Sequence, residues 1–476
     1  MSGYFFKNRR ASVVIVGMDG LRPDMISNDL MPNLVRFQGM ATTMSNHRAV
    51  FPTETMVNFA SLVTGCEPAQ HGVVANTIGQ RRGKRLRVYD TSCVADLEAA
   101  EERLDGGLYT RRTLAECLAE DNVQLTVMGT GSAGATRMLC DNRELGHRSF
   151  STQDWTTGFP DAWAESILRQ FGDPPDPACP DSQAIGYLVD VFFGLIATRD
   201  RSPVTILWFN DPDETSHAAG LRSRVLQEAL QQCDRAFGRI LDWWDGQGRA
   251  EQVHLCVLSD HGHVGATGGT AGAASVAEAF RGSETVTASR FVQVFSSSFE
   301  QDLNQAINEL GQNYFVIPVA PHGSKTEISQ SALGCAHSRS PDFVVCTADP
   351  DSGMGWLPGR GRSMREHAPG LGLHGGLCAA ETACVCFLGG PQFGVDRSVT
   401  APSGSIDVMP TILHVLGLTP PADLDGRVLR EALVNAEPNA GTRICIEQLD
   451  VGTHPGLSLR LRKYGDQRYI EGVGRW

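Results

Sequence analysis

Carboxylates and histidines occur at three separate points of the chain, each directly after an apolar segment. They are Asp19, the pair Asp213 and His217, and the run Asp260-His261. The four-residue spacing of Asp213 and His217 lets both side chains reach one ion from a helical turn. Carboxylate oxygens together with imidazole nitrogens suit Zn²⁺ or Mn²⁺. These residue types and spacings predict a metal site that no one of the three points could form alone.

A third histidine is expected to complete this site, and the glycine-rich segment Pro369–Gly376 offers it. We assign His374, because the glycines around it let the backbone pack close to a ligand. His367 is the alternative ligand. We interpret His263, two residues after His261, as a surface histidine, with a role beside the metal or substrate as the alternative. The structural alternative for the whole set is that Asp and His cap helices and fill turns, but three such clusters in one chain favour the metal site.

A hydroxyl-bearing segment lies between Phe51 and Asn76. It begins with Pro52-Thr53-Glu54-Thr55 and continues as an amphipathic stretch to Thr64-Gly65. This pattern predicts a loop leading into a helix whose start holds a threonine hydroxyl. A helix N-terminus favours a phosphate or another oxyanion. The alternative is that Thr53 or Thr55 only caps the helix.

The elements that must position these residues are apolar strands and the helices between them. Residues 11–18, 203–209 and 253–258 are β-branched, apolar runs typical of parallel strands buried on both faces. Residues 221–244 have the apolar spacing of an amphipathic helix. Alternating strands and helices predict a layered α/β core with a mostly parallel sheet. Ligands bind beyond the carboxyl ends of such strands, so we expect the three clusters to meet at one edge.

The middle of the chain differs in composition from this core. Residues 265–365 are richer in Gly, Ser and polar turns, and they predict one helix and two short strands, at 297–310, Tyr314–Val319 and Asp342–Cys346. We expect a small inserted cap at 265–365. It would separate a first core segment, 1–264, from a second, 366–476, which ends in a weakly patterned tail after about residue 440.

Composition excludes several classes of protein. The 476 residues include 41 Lys and Arg against 54 Asp and Glu, a formal net charge of −13. An acidic chain argues against nucleic acid or an anionic membrane as the main partner. The apolar run Ala11–Met18 is far shorter than the roughly 20 residues of a membrane helix, and we expect a cytoplasmic protein. The 13 cysteines lack zinc-knuckle spacing, and we expect them to be reduced and mostly buried.

The order of the motifs resembles the alkaline phosphatase superfamily, and within it the type I phosphodiesterase / nucleotide pyrophosphatase-phosphodiesterase branch. In chain order the landmarks are a strand ending in Asp-Gly, Pro-Thr-x-Thr, Thr-Gly-x-x-Pro-x-x-His-Gly before an Asn, Pro-Asp-x-x-x-His-x-x-Gly, Asp-His-Gly and a late His-Gly, all within residues 13–376. The ordered set is specific although each motif alone is not. The resemblance implies a three-layer α/β sandwich with a central, mostly parallel sheet.

The same resemblance implies roles for individual residues. One divalent metal ion would be held by Asp213, His217 and His374, and a second by Asp19, Asp260, His261 and Thr55. Zn²⁺ is the expected ion and Mn²⁺ the alternative. Thr55, rather than Thr53, would be the nucleophile, and Asn76 would donate to a phosphoryl oxygen. The expected partner is a small anionic phosphorus-containing substrate, and a homodimer stays open.

The activity implied by the resemblance is hydrolysis of phosphodiesters through a phospho-threonine intermediate. A phosphonate or phosphomonoester hydrolase is the alternative, although Thr126–Gly134 lacks the lysines with which such relatives hold a second anionic group. A non-catalytic metal-binding protein is the third hypothesis. Met56 stands where the nucleotide-hydrolysing branch usually has an aromatic side chain, which weakens a nucleotide preference.

Two further motifs bear on the function. Cys66-Glu67-Pro68-Ala69-Gln70 approaches the Cys-x-Pro-x-Arg motif of sulfatases, but Gln70 replaces the required arginine, and we reject a sulfatase. The basic run Arg81–Arg87 would either attract an anionic substrate or form a solvated turn between strands.

Overall fold

The computed structural model describes residues 11–83, 85–268, 272–310, 313–320, 328–348, 360–436, 443–451 and 456–475. Its strands are β1 Ser12–Met18, β2 Thr42–Arg48, β3 Thr77–Arg82, β4 Arg85–Asp90, β5 Leu125–Gly129, β6 Arg148–Ser151, β7 Val204–Phe209, β8 Val253–Leu258, β9 Val264–Ala266, β10 Glu284–Thr287, β11 Phe291–Phe295, β12 Tyr314–Pro318, β13 Phe343–Thr347, β14 Arg360–Gly361, β15 Gly372–Leu373, β16 Cys386–Gly389, β17 Arg397–Gly404, β18 Ile444–Asp450, β19 Ser458–Tyr464 and β20 Gln467–Gly474. Its α-helices are α1 Pro32–Gln38, α2 Thr55–Thr64, α3 Pro68–His71, α4 Val94–Arg103, α5 Leu114–Glu120, α6 Ala133–Leu139, α7 Asp161–Phe171, α8 Ser182–Ala197, α9 Asp213–Ala219, α10 Arg224–Trp243, α11 Gly272–Ala279, α12 Phe299–Leu310, α13 Ala379–Thr382 and α14 Val408–Val415.

An eight-stranded sheet forms the centre of the molecule, in the order β17-β2-β16-β8-β1-β7-β5-β6. Neighbouring strands run parallel except at β16, which is antiparallel to both of its neighbours. Because β8, β1 and β7 are adjacent and parallel, the residues that follow them emerge at one edge of the sheet. This confirms the mostly parallel α/β sheet predicted from the apolar runs.

Helices cover both faces of the sheet. Alternate side chains of β1 enter two separate cores: Val13 and Ile15 pack on one face, and Val14 and Val16 on the other. The first core includes side chains of α2, α4, α5, α6 and α14, and the second those of α1, α7, α8 and α10. A strand buried on both faces must be apolar at every position, which explains the uninterrupted run in the sequence. The result is the predicted three-layer sandwich.

A second sheet follows the first core segment. Strands β10, β11, β13 and β12 form a four-stranded antiparallel sheet in that order, and α11 and α12 pack against it around Phe280, Leu303 and Phe343. The helix and two strands expected in this region correspond to α12, β12 and β13. The division of the chain at 264 and 365 stays a prediction, and its first boundary lies inside β9.

The chain after residue 440 is more regular than expected. Strands β18, β19 and β20 form an antiparallel sheet, and apolar side chains including Leu459, Leu461 and Val473 are buried with Phe51 and Phe291. The expectation of a weakly patterned tail was therefore wrong. The alternation of apolar and polar residues in Ser458–Tyr464 was the available indication of a strand.

The four arginines of the basic run lie on the hairpin β3–β4, and its Lys84 lies outside the described residues. The guanidinium of Arg81 donates to the main-chain oxygens of Phe295 and Ser296, so it joins the hairpin to the second sheet. Arg85 and Arg87 lie exposed on β4.

The 13 cysteines are free thiols, ten of them buried. Among the described residues, the helices are too short or too polar to cross a bilayer.

A close approach within the sheet requires the glycine at position 17. Gly17 pairs with Trp208 in the β1–β7 register, and a Cβ at Gly17 would overlap the indole ring. We expect Gly17→Ala to lower the free energy of unfolding by about 1–3 kcal/mol, as overpacking of a close-packed core does. Chemical denaturation measures this. Gly186→Ala on α8, where a Cβ meets no described atom within 4 Å, should be neutral or stabilising, and equal behaviour of the two variants would contradict the packing argument.

Candidate metal centre

The sheet and two short connections bring the predicted metal ligands together. Asp19 follows β1, Asp213 begins α9 after β7, and Asp260 and His261 follow β8. His374 lies much later in the chain. It directly follows β15, which pairs with β9. All of these side chains lie at the carboxyl edge of β8-β1-β7, as the strand pattern predicted.

One group of side chains gathers around Asp213. The ligand atoms of Asp213, His217, His263 and His374 all lie within 4.8 Å of one another. The Oδ1 atom of Asp213 lies 2.7 Å from Nε2 of His263, 3.3 Å from that of His217 and 3.6 Å from that of His374. Three imidazoles thus face one carboxylate oxygen, in the arrangement of a cation site rather than of a helix cap.

The second group is formed by Asp19, Asp260 and His261. The Nε2 atom of His261 lies 3.3 Å from Oδ2 of Asp260 and 3.5 Å from Oδ1 of Asp19. The other oxygens accept hydrogen bonds: Asp19 Oδ2 from Trp208 Nε1 at 3.0 Å and Asp260 Oδ1 from Gly20 N at 3.1 Å. The two oxygens that face His261 are buried and have no hydrogen-bond donor among the described residues. Buried carboxylate oxygens without a partner are rare and costly, and a divalent cation fits them.

Main-chain carbonyls fix the orientation of the histidines. Each Nδ1 atom lies within hydrogen-bond distance of a main-chain oxygen. The distance is 2.8 Å from His217 to Gly372, 3.2 Å from His261 to Gly262, 3.1 Å from His263 to Gly20 and 2.9 Å from His374 to Thr53. A carbonyl only accepts, so Nδ1 of each ring carries a proton and Nε2 is the ring nitrogen that faces the centre. Metal-binding histidines are held in this way.

Burial perturbs the pKa values of the second group. Burial, together with the neighbouring carboxylates Asp260 and Asp213, raises the pKa of Asp19 well above its usual value. Burial likewise raises the pKa of Asp260 to about 7. Burial also lowers the pKa of His261, so its imidazole is neutral as a ligand must be. A divalent cation would supply the positive charge that compensates these carboxylates.

At the first group the charges partly compensate one another. Burial alone would raise the pKa of Asp213, but His217 and His263 outweigh burial and hold it well below its usual value. Burial opposes the protonation of His217, but Asp213 outweighs burial and raises the pKa of His217 to about 9. A metal ion at this group would therefore displace a proton from His217.

Thr55 is the first residue of α2 and lies beside the second group. Its Oγ1 is 3.1 Å from Nε2 of His261. The N-cap residue is Glu54, and its side chain makes no capping hydrogen bond, so the alternative that a threonine caps this helix was wrong. Thr53 has a different place: its hydroxyl accepts from Gly375 N and donates to Gly376 O, both at 2.9 Å. Thr53 therefore holds the loop that follows His374.

Asn76 is fixed against the same end of α2. Its Oδ1 accepts a hydrogen bond from Met56 N at 2.9 Å, and its main-chain N donates to Oε2 of Glu54 at 2.7 Å. This hydrogen bond occupies the amide oxygen, so a hydrogen bond from Asn76 to a phosphoryl oxygen would have to come from its NH₂ group. Glu54 is a residue that sequence analysis missed, and burial raises its pKa to about 7.

His263 was also misjudged. It is fully buried and belongs to the first group, so the expectation of a surface histidine was wrong. Its position two residues after His261, between the ends of β8 and β9, was the available indication. His367, the alternative to His374, lies outside both groups and contacts Ser363 Oγ at 3.0 Å.

Comparison with known proteins shows the family to which the chain belongs. The model of the type I phosphodiesterase / nucleotide pyrophosphatase family matches residues 13–352. Venom phosphodiesterase 2 of Crotalus adamanteus is 23% identical over 260 residues, which cover 53% of this chain and 27% of that protein. Ectonucleotide pyrophosphatase/phosphodiesterase family member 3 of Mus musculus is 22% identical over 254 residues, 52% of this chain and 24% of that protein. The matches thus span about a quarter of the length of these curated relatives.

Solved structures share the fold over a larger part of the chain. Murine ectonucleotide pyrophosphatase/phosphodiesterase 5 superposes with a TM-score of 0.61 at 16% identity, covering 86% of this chain and 96% of that one. An inactive threonine-to-alanine variant of the same murine protein, in complex with AMP, gives a TM-score of 0.61 at 17% identity. Because the family model matches more than half of the chain and the fold agrees, the protein belongs to the type I phosphodiesterase / nucleotide pyrophosphatase family of the alkaline phosphatase superfamily.

Proposed function

We propose that this protein is a metal-dependent phosphoric ester hydrolase that cleaves phosphodiester bonds with Thr55 as its nucleophile. The observation that carries the proposal is the position of the Thr55 hydroxyl, 3.1 Å from His261 Nε2 in the group that contains two bare carboxylate oxygens. A threonine hydroxyl is a weak nucleophile at neutral pH and needs activation. Thr55 lies beside carboxylates that would bind a metal ion, and such an ion would activate its hydroxyl. A surface threonine would lack this neighbour.

The two groups would hold two divalent cations, Zn²⁺ first and Mn²⁺ as the alternative. Asp213, His217 and His374, joined by His263, would bind one ion, and Asp19, Asp260, His261 and Thr55 the other. When bound, such ions lower the pKa of a coordinated hydroxyl and offset the charge of the phosphate oxygens.

The chain's own residues account for the remaining steps. Thr55 is held at the start of α2. Its hydroxyl would give up its proton and its oxygen would bond to the substrate phosphorus, while the bond from phosphorus to the leaving oxygen, in line with the attack, breaks and the alcohol leaves with a proton. The Asn76 amide would donate to a phosphoryl oxygen and stabilise the charge that develops there. Removing such a donor typically lowers the rate by about 10²–10³-fold. Water then hydrolyses the phospho-threonine and restores the hydroxyl.

The proposed substrate is a small anionic phosphorus ester. The curated relatives are named phosphodiesterases and nucleotide pyrophosphatases, and a related murine structure holds AMP in an inactive threonine-to-alanine variant. These names support a phosphodiester, and a nucleotide is one candidate. Met56, without an aromatic ring to stack on a base, argues against a strict nucleotide requirement. The cytoplasmic location stays a prediction.

The nucleophile is tested by Thr55→Ala. We expect the variant to keep its metal ions, because six further ligands remain from the predicted set, and to lose turnover by at least about 10³-fold, as removal of a nucleophile does elsewhere. Hydrolysis of a chromogenic phosphodiester and metal analysis of the same sample measure both. Thr64→Ala, at the other end of α2, is the matched control and should retain turnover. If Thr53→Ala abolishes turnover while Thr55→Ala does not, the nucleophile is wrongly assigned.

The metal groups are tested one carboxylate at a time. Asp213→Asn and Asp260→Asn should each reduce the bound metal from about two ions per chain to about one, because each change removes a charged ligand from one group. Asp234→Asn is the control, since Asp234 is equally buried but binds the main chain of Asn33 and Leu34. Retention of about two ions in both ligand variants would contradict the assignment of the groups.

The bond class is tested by comparing substrates. With the metal-loaded protein we expect a chromogenic phosphodiester to react faster than the matching monoester, phosphonate ester and sulfate ester, and chelation to abolish the reaction. Initial rates with and without chelator decide this. A faster monoester or phosphonate reaction would move the function to that class.

A further inference from the structure

A buried tryptophan of the central sheet contacts the second group directly. Trp208 lies near the end of β7 and is 3% exposed. Its Nε1 donates to Oδ2 of Asp19 at 3.0 Å. The indole N–H is the one polar group of this side chain, and it can only donate. Trp208 is therefore a core residue whose single hydrogen bond goes to a predicted metal ligand.

This hydrogen bond determines how Asp19 faces the centre. The main chain of Asp19 is already fixed, because its N donates to Phe209 O at 2.9 Å and its O accepts from Asp213 N at 3.1 Å. The remaining freedom is that of the carboxylate, and the indole holds it at Oδ2. The other oxygen, Oδ1, lies 3.5 Å from His261 Nε2 and has no hydrogen-bond donor among the described residues. A carboxylate held at one oxygen keeps the other directed at the centre.

The indole is itself confined on two sides. On one side it lies over Gly17 of β1, where a Cβ would overlap the ring; a glycine inside a strand often marks such a close approach. On the other side it meets the Phe59 ring edge to face, with centroids 4.5 Å apart and an interplanar angle of 75°. Phe59 lies one helical turn after Thr55 on α2. Strand β1 and the helix of the nucleophile therefore keep the N–H donor in place.

The other carboxylate of the second group is held differently. Asp260 Oδ1 accepts from the main-chain N of Gly20 at 3.1 Å, a donor that every residue type except proline supplies. The donor to Asp19 is a side chain. Packing inside a strand buried on both faces needs apolar surface alone, which phenylalanine at position 208 would provide. The N–H of Trp208 thus adds something that packing does not require.

We propose that Trp208 is a positioning residue of the second group, whose indole N–H orients the Asp19 carboxylate so that Oδ1 binds the ion next to Thr55. This inference rests on the metal-binding part of the proposed function. Trp208 itself touches neither the ion nor the substrate in this proposal and acts through Asp19. The ion of the first group, around Asp213, should not depend on it.

The test measures zinc affinity with one group at a time. Asp213→Asn should leave the second ion and Asp260→Asn the first, and each variant is titrated with Zn²⁺ against a chromogenic chelator, with and without Trp208→Phe. We expect Trp208→Phe to weaken the second ion about 10–100-fold, as loss of a partner of a metal ligand does elsewhere, and to leave the first unchanged. Weakening of both ions alike, or of neither, would overturn this inference.

Trp244→Phe is the matched control. Trp244 is 1% exposed, and its Nε1 donates to Val253 O at 2.8 Å, so this variant also loses one buried indole hydrogen bond. Val253 begins β8, at the edge of the sheet opposite the metal centre. Trp244→Phe should leave the affinity for both ions unchanged, and chemical denaturation shows whether the two tryptophan variants are equally folded.

Turnover gives a second measurement in the otherwise unchanged protein. With the chromogenic phosphodiester, Trp208→Phe should need about 10–100-fold more Zn²⁺ than the wild type for half its maximal rate, and saturating Zn²⁺ should restore most of kcat. A kcat that saturating Zn²⁺ does not restore would contradict a role through Asp19. A wild-type protein that binds two ions but hydrolyses no ester would overturn the proposed reaction and leave this inference to the zinc titrations. A wild-type protein that binds no ion would overturn both.

Discussion

The repulsion among three buried carboxylates is the constraint that organises this molecule. Asp19, Asp213 and Asp260 follow three neighbouring parallel strands, and burial and the other two charges together raise the pKa of Asp19. Hydrogen bonds from Trp208 and Gly20 satisfy one oxygen of Asp19 and of Asp260 but leave the other oxygen of each bare. Such a cluster is costly unless positive charge is supplied. The imidazoles, the main-chain carbonyls that orient them and the loop carrying His374 surround these carboxylates.

The start of α2 places the hydroxyl of Thr55 and the amide of Asn76 next to these carboxylates. The first turn of α2 presents Thr55 at the second group, and Asn76 is held beside it through Met56 N and Glu54. Thr55 makes no capping hydrogen bond, whereas the amide oxygen of Asn76 satisfies the free N–H of Met56 in the first turn. A hydroxyl that serves no cap and lies beside buried carboxylates is typical of a reaction site.

The second sheet and the small sheet β14-β9-β15 are joined to this centre by buried polar contacts. Thr53 crosslinks the loop after His374 to the segment before α2, and Arg290 and Glu381 form an ion pair with almost no exposure. Breaking a buried pair leaves an uncompensated charge, so the second sheet is held in one position relative to the ligands.

The sequence alone determined the central sheet, the ligand clusters and the family, because each depends on local pattern. An apolar run such as Ala11–Met18 can be stable only when covered on both faces, and Asp260-His261 directly after such a run must lie at a strand end. The tertiary structure alone decided which distant residues meet. His263 joins Asp213, 50 positions away, and Thr53 binds Gly375, 322 positions away, because strand register and the pairing of β9 with β15 set those distances. Neither fact leaves a periodic trace in the chain, since hydrophobic periodicity records only which face of an element is buried.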